Sequence, residues 1–224
     1  MTPWDLNRFS KTPDHVLVLG AGLAGAHAAF ALASRGIPVT VLEANTLASG
    51  GSSNLQGVTY TRLSHQHNPL TDFSLAAFGF ATDHYDTLLR DEKLTEGEDI
   101  GLGGYVQLHD ADETLAHLEQ VLPLAPDFAR LLDTEALATL TGLQPRCGGI
   151  HYLRGGWLNP LAVCRALLSH PLISVQTECG QVSLQRAANE RWQAVDEQGR
   201  VLGDADAAVL ATAQSVRPNS ALYW

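Results

Sequence analysis

The stretch HVLVLGAGLAGAHAAFALASRGIPVTVLE, residues 15–43, decides the fold. His15–Gly20 is a short apolar run ending in glycine, which reads as a buried strand. Gly22 to Arg35 is alanine-rich and free of proline, and Gly36 follows as a helix stop. Pro38–Glu43 is a second β-branched run, with proline tolerated at its first position. Strand, helix and strand in about thirty residues make a βαβ unit with a right-handed crossover.

The turn of that unit carries Gly20-Ala21-Gly22-Leu23-Ala24-Gly25, a GxGxxG placed after a strand and opening a helix. Gly20 permits the tight turn, Gly22 lets a diphosphate approach the backbone, and Gly25 lets helix and strand pack closely. The amides of the helix start, at Leu23 and Ala24, and the positive end of the dipole face the same place. Glu43 ends the second strand eighteen positions after Gly25. A carboxylate there accepts from ribose hydroxyls and repels a 2′-phosphate. The pattern predicts dinucleotide binding other than NADP.

Beyond residue 43 the alternation stops. ASGGSSNLQG, residues 48–57, is a loop of glycines and hydroxyls. Thr71–Arg90 has helical period, with Phe73, Ala76, Ala77, Phe80, Leu88 and Leu89 on one broad apolar face. Gly104–His109 and Gly149–Leu153 read as strands. Asp110–Leu122 and Asp133–Thr141 read as short helices opened by Asp caps. Asn159-Pro160 opens a helix to about Ser169. After Pro171 come β runs at Ile173–Thr177, Gln181–Arg186, Trp192–Val195, Val201–Leu202 and Ala207–Ala211, with a hairpin turn at Glu197-Gln198-Gly199. This reads as a βαβ unit, mostly helical material, a β-meander and one more buried strand.

Composition narrows the function. The 224 residues include 24 acidic and 14 basic ones, for a net charge of -10, which argues against a nonspecific nucleic-acid-binding module. Cys147, Cys164 and Cys179 lack CxxC spacing, so no disulfide framework or zinc site is expected. Cys147 reads as buried rather than catalytic. Ala21–Ser34 is too short to span a bilayer, and the expected location is the cytoplasm. His65-Gln66-His67 reads as loop rather than metal site. Asp83, Asp86 and Glu92 read as a solvated helix face. Trp157 reads as core more readily than as a neighbour of a cofactor.

The loop after Glu43 is similar to that of flavoproteins of the glycine oxidase/D-amino-acid oxidase superfamily. Ala48-Ser49-Gly50 and Ser53-Asn54-Leu55-Gln56-Gly57 match the small-residue loop that wraps FAD in that superfamily. The resemblance implies FAD contacts at Ser49, Gly50, Asn54, Gln56 and Gly57. It implies a backbone contact from Val182 to adenine, and a second nucleotide strand at Val209–Ala213 with contacts at Ala211 and Thr212. Ala213 stands where that strand's motif has glycine. The fold implied is α/β, an FAD-binding Rossmann-like domain with a β-meander and part of an inserted α+β substrate domain. The expected division is 1–14 as lead-in, 15–62 and 171–213 as the FAD-binding domain, 63–170 as inserted segments, and 214–224 as a truncated tail.

A narrower resemblance rests on two blocks. Residues 48–88 are similar to a pattern ASGN-x-QGA-x-YP-x-LS followed by an aromatic-rich helix, with two extra residues around Gly51–Ser53 and Thr61 in place of proline. Residues 141–160, ending in Gly155-Gly156-Trp157-Leu158-Asn159-Pro160, match the same family. It is the C-terminal oxidoreductase domain of the bifunctional tRNA 5-methylaminomethyl-2-thiouridine biosynthesis family. The resemblance implies oxidation of a carboxymethylaminomethyl group on a wobble uridine of tRNA to aminomethyl, with release of glyoxylate. Arg62 and Arg154 are then candidates for holding the substrate carboxylate. The flavin motif fits equally an oxidase of glycine, sarcosine or another small amino acid, and a non-catalytic dinucleotide-binding module is a third reading. The chain stops eleven residues after Ala213, where the superfamily continues. Weakened or absent FAD retention and no efficient catalysis alone are therefore expected, with a missing C-terminal half or a separate methyltransferase protein as partner.

Overall fold

The computed structural model describes residues 12–61, 68–109, 118, 122 and 127–213. In chain order the elements are β1 (Val16–Leu19), α1 (Leu23–Ala33), β2 (Val39–Leu42), β3 (Gly57–Thr59), α2 (Pro69–Arg90), β4 (Ile100–Gly101), β5 (Tyr105–Leu108), β6 (Ala129–Leu132), α3 (Thr134–Thr141), β7 (Gly149–Tyr152), β8 (Gly156–Leu158), α4 (Pro160–Leu168), β9 (Ile173–Gln176), β10 (Ser183–Arg186), β11 (Trp192–Val195), β12 (Val201–Ala205) and β13 (Ala207–Leu210). They form two compact units, one ending at Leu55 and resuming at Pro160, the other Gln56–Asn159. None of the described helices is long and apolar enough to cross a membrane.

The first unit is built on a parallel sheet of order β13-β1-β2-β9. All four residues of β1 are buried, which suits a strand covered on both faces. Leu17 and Leu19 join Leu42, Ala194 and Ala205 in one core, so the β10-β11-β12 meander lies on that side. Val16 and Val18 point the other way by the two-residue period and are equally buried. Helix α1 presents Gly25, Ala26, Ala29 and Ala33 to the interior and packs on α4, whose Val163, Cys164 and Leu167 are fully buried. Small residues on α1 let the two helices approach closely.

A polar clasp fixes the entry to β1. Oδ2 of Asp206, between β12 and β13, accepts from the amides of Asp14 and His15. Its Oδ1 accepts from Arg191, which also donates to Asp204. One side chain thus aligns the start of the central strand with the strand beside it.

The second unit holds two antiparallel three-stranded sheets, β3-β8-β4 and β5-β7-β6. Tyr105, Phe128 and Tyr152 stack around Ile150, with Leu118 and Leu122 closing this core. Helix α2 starts at a capping box, in which Asn68 accepts from Leu70 and Thr71 while Thr71 Oγ1 accepts from Asn68 N–H. Asp133 caps α3 through the amide of Ala136.

Four expectations change. Ile173–Gln176 is not part of the meander; it is the fourth strand of the parallel sheet, paired with β2. The segment expected to be mostly helical holds β3 to β8: β5 and β7 fall where strands were expected at Gly104–His109 and Gly149–Leu153, whereas β3, β4, β6 and β8, two to four residues long, show too few periods to read. The apolar face of α2 is not the expected one: Phe78, Thr82, Tyr85 and Leu88 are buried, while Phe73 and Phe80 are 70% and 72% exposed. With alanine and phenylalanine on several faces, the sequence favoured no single stripe. Finally, 56–61 belongs with the second unit because β3 pairs with β8, and 160–170 belongs with the first because α4 packs on α1. The expected Asp110–Leu122 helix lies largely outside the described residues.

Candidate functional site: a glycine turn closed by Glu43

The turn after β1 is fixed by its own backbone. Gly20 has φ +102°, and a side chain there would stand 2.6 Å from the carbonyl oxygen of Ala211. The Gly20 amide donates to Leu42 and the Ala211 amide donates to Leu19. The turn is therefore held between both neighbouring strands. At Gly25 a Cβ would meet the Gly20 carbonyl oxygen at 1.8 Å, so α1 starts directly on the strand.

Glu43 closes the turn from the side. Its Oε2 accepts from the Ala21 amide at 2.7 Å and its Oε1 from the Asn45 amide at 3.0 Å. Each oxygen keeps a lone pair for a hydroxyl donor. Glu43 is itself positioned at both ends of its backbone. Its amide donates to Gln176 and its carbonyl accepts from Cys179. Nearby thiols add no charge: burial, with the adjacent Glu43 charge, pushes Cys164 up to about 11. Burial also raises Cys179 against the hydrogen bond that lowers it.

The first turn of α1 offers donors. No described residue accepts from the amides of Ala24 or Gly25, as expected at a helix start awaiting an anion. The Leu23 amide donates to Oγ of Ser52 at 3.0 Å. Burial keeps His27, one turn on, below its ordinary pKa, against the hydrogen bond to the Leu23 carbonyl that raises it. These features fit a dinucleotide: a turn whose glycines carry no side chains, helix-start amides for a diphosphate and a carboxylate for a ribose.

The remaining expected positions fall as follows. Ser49, Gly50 and Asn54 are exposed on the loop after β2, where buried Ala48 at φ +57° donates to the Ala21 carbonyl. Val182 packs half-buried on the Leu17–Ala205 core and precedes the first ladder residue of β10, Ser183. Ala211 and Thr212 follow β13 beside Gly20, and Ala213 adopts the left-handed φ +49° that glycine favours. Gln56 and Gly57 belong to the second unit, where Gly57 pairs with Leu158. Sequence reasoning missed Ser52; its one signal was the two-residue excess around Gly51–Ser53.

In the second unit, the Gly155-Gly156 motif is explained by packing. A Cβ at Gly156 would lie 2.0 Å from the Gly101 carbonyl oxygen, and Trp157 lays its indole on Gly101. Arg154 donates to Asp83 at 2.6 Å and Asp86 at 2.9 Å. These acids lie exposed on the helix face, as expected, and also pair with Arg154. The hydrogen bond that Arg154 donates to Asp83 leads in raising Arg154 above its usual value. Arg62, His65 and His67 lie outside the described residues. The described residues contain no cluster able to hold a metal ion.

Comparison with known proteins gives a consistent answer. Residues 15–221 match the model of a family described as FAD dependent oxidoreductase. The chain is 37% identical over 217 residues to the tRNA 5-methylaminomethyl-2-thiouridine biosynthesis bifunctional protein MnmC of Saccharophagus degradans, covering 94% of this chain and 30% of that protein. It is 39% identical over 203 residues to the protein of the same name from Chromobacterium violaceum, covering 88% and 30%. The chain thus spans about 30% of the length of these curated relatives. Glycine oxidase from Bacillus cereus shares the fold with a TM-score of 0.64 at 15% identity, covering 88% of this chain and 54% of that one. Iminodiacetate oxidase from Chelativorans sp. BNC1 does so with a TM-score of 0.63 at 20% identity, covering 87% and 54%.

Proposed function

Because the chain belongs to the FAD dependent oxidoreductase family, we propose that it forms the cofactor half of a tRNA-modifying amine oxidoreductase acting in the cytoplasm. The substrate is the carboxymethylaminomethyl group of a wobble uridine, and the products are the aminomethyl uridine and glyoxylate. The observation that carries this reading is the similarity, 37% over 217 residues, to a tRNA 5-methylaminomethyl-2-thiouridine biosynthesis protein. The intact glycine turn and Glu43 supply the chemical premise for it.

Bound FAD supplies the two-electron oxidation: a hydride leaves the carbon between amine and carboxylate, a C=N bond forms, and water then releases glyoxylate and the primary amine. The chain's own residues act before that step. Leu23, Ala24 and Gly25 present amides to the diphosphate. Glu43 accepts from the adenosine ribose while its other lone pairs hold Ala21 and Asn45. Ser49, Gly50 and Asn54, with Val182, Ala211 and Thr212 of the same unit, would hold the rest of the cofactor. Arg62 and Arg154 are the proposed partners of the substrate carboxylate. Arg154 must then exchange Asp83 or Asp86 for it. Proposed partners are tRNA, the rest of the oxidoreductase fold and a methyltransferase.

The test is nucleoside mass spectrometry of tRNA from a host whose own enzyme for this step is deleted, carrying this chain within its full reading frame. Conversion of carboxymethylaminomethyl to aminomethyl uridine is expected. Unchanged tRNA alongside glyoxylate formation from free glycine or sarcosine supports the small-amine oxidase instead.

A further inference from the structure

Ser52 occupies the place that the glycine turn keeps open. Its Oγ accepts from the Leu23 amide at 3.0 Å, and a Cβ on Gly22 would lie 2.9 Å from that oxygen. Gly22 lacks a side chain, and the space this leaves beside the first helical amide is filled by a hydroxyl from the loop after β2. The loop is set for this by Ala48, which donates to the Ala21 carbonyl, and by Ser53, which donates to Gly50.

We propose that Ser52 is a placeholder for a phosphate oxygen and that it sets the affinity of the turn for a diphosphate by competing for the Leu23 amide. The inference rests on the flavin reading above. One N–H serves one strong acceptor, so the hydroxyl and a phosphate oxygen exclude each other at Leu23. The exchange replaces a neutral acceptor by an anionic one, and hydrogen bonds to charged acceptors are about twice as strong as neutral ones. The exchange is therefore favourable, but by less than if the amide were free. Without ligand, Ser52 satisfies an otherwise orphaned helix donor and holds the loop over the turn. Binding requires the 48–53 loop to withdraw its hydroxyl.

The proposal predicts opposite effects on stability and affinity from one substitution. In Ser52→Ala the Leu23 amide loses its acceptor, so the ligand-free chain melts lower by roughly 2–4 °C. The same variant binds FAD and ADP more tightly, by about threefold to tenfold. Adenosine, which has no phosphate, binds Ser52→Ala and the parent equally. The experiment is a fluorescence titration with FAD, and calorimetric titrations with ADP and adenosine, on both chains, with melting curves of the ligand-free forms. Leu23 amide exchange in the unsubstituted chain, with and without ADP, gives a reading that does not depend on the variant folding. The amide stays protected in both states because its acceptor is replaced, not removed. FAD binding that is unchanged or weaker in Ser52→Ala overturns the proposal while leaving the flavin reading in place. Tighter adenosine binding overturns it as well. Absence of FAD and ADP binding to either chain overturns both.

Discussion

The Ala21 amide donates to Oε2 of Glu43 at 2.7 Å, joining the glycine turn after β1 to the end of β2. One carboxylate therefore has two tasks. It holds the turn shut through Ala21 and Asn45, and its remaining lone pairs are the proposed acceptors for a nucleotide ribose. Glu43→Gln keeps the shape but turns one acceptor into a donor, so either Ala21 or Asn45 loses its partner. Loss of a hydrogen bond to a charged group costs about 1.5–3 kcal/mol, so FAD binding should weaken about tenfold or more. Titration of the variant with FAD measures this directly.

Gly25→Ala should be more damaging than its single methyl suggests. The new Cβ would stand 1.8 Å from the Gly20 carbonyl oxygen, and backbone cannot give way as a flexible side chain can. Overpacking of this kind costs about 1–3 kcal/mol or more. The urea midpoint should fall clearly, and nucleotide binding should disappear with the geometry of the turn. Gly36→Ala is the control, since nothing lies within 4 Å of a Cβ there and the strain of its φ +82° is the sole penalty.

Thr61 is buried with its hydroxyl unpartnered, although its backbone amide and carbonyl both bond the Tyr105 hydroxyl. A buried hydroxyl without a partner costs stability, whereas a methyl of the same shape does not. Thr61→Val should be neutral or raise stability by about 1 kcal/mol. Thermal melts of the two chains decide it.

Asp196 gives a pH dependence. Burial pushes its carboxyl up, but bonds from the Arg200 amide, the Arg200 guanidinium and the Gln198 amide outweigh that and hold it below the usual range. A depressed folded value means that the stabilisation is present above the unfolded pKa, about 3.9. It is lost as pH falls through the folded one. Asp196→Asn should therefore lower the urea midpoint at neutral pH, and the gap from the parent should close below about pH 4. Urea unfolding across that range measures it.

Much of the first unit was legible in the sequence because its signals are local. Val16–Leu19 is a continuous apolar run, Gly20–Gly25 combines close approach with a helix start, and Glu43 follows at the end of the next strand. The second unit hid its strands for a physical reason. Gly57–Thr59, Ile100–Gly101 and Gly156–Leu158 are two or three residues long and are specified by cross-strand partners far away in sequence, such as Trp157 lying on Gly101. Ile173–Gln176 read as a strand, but its place beside β2 depends on α4 packing against α1, which no local pattern encodes. At the candidate site, the tight turn at Gly20–Gly25 and the position of Glu43 at the end of β2 were legible from their spacing. Ser52 did not, because a hydroxyl reaching an amide twenty-nine positions away leaves no periodic trace. The pairing of Arg154 with Asp83 and Asp86 was not legible, because those acids lie on a helix distant in sequence.

The most direct test of the central claim is a titration of the folded chain with FAD, followed by flavin fluorescence and visible absorption. The account predicts saturable binding of one FAD per chain with protein-perturbed flavin bands, lost in Gly25→Ala and weakened in Glu43→Gln. A folded chain that leaves the flavin spectrum identical to that of free FAD at every concentration would contradict it.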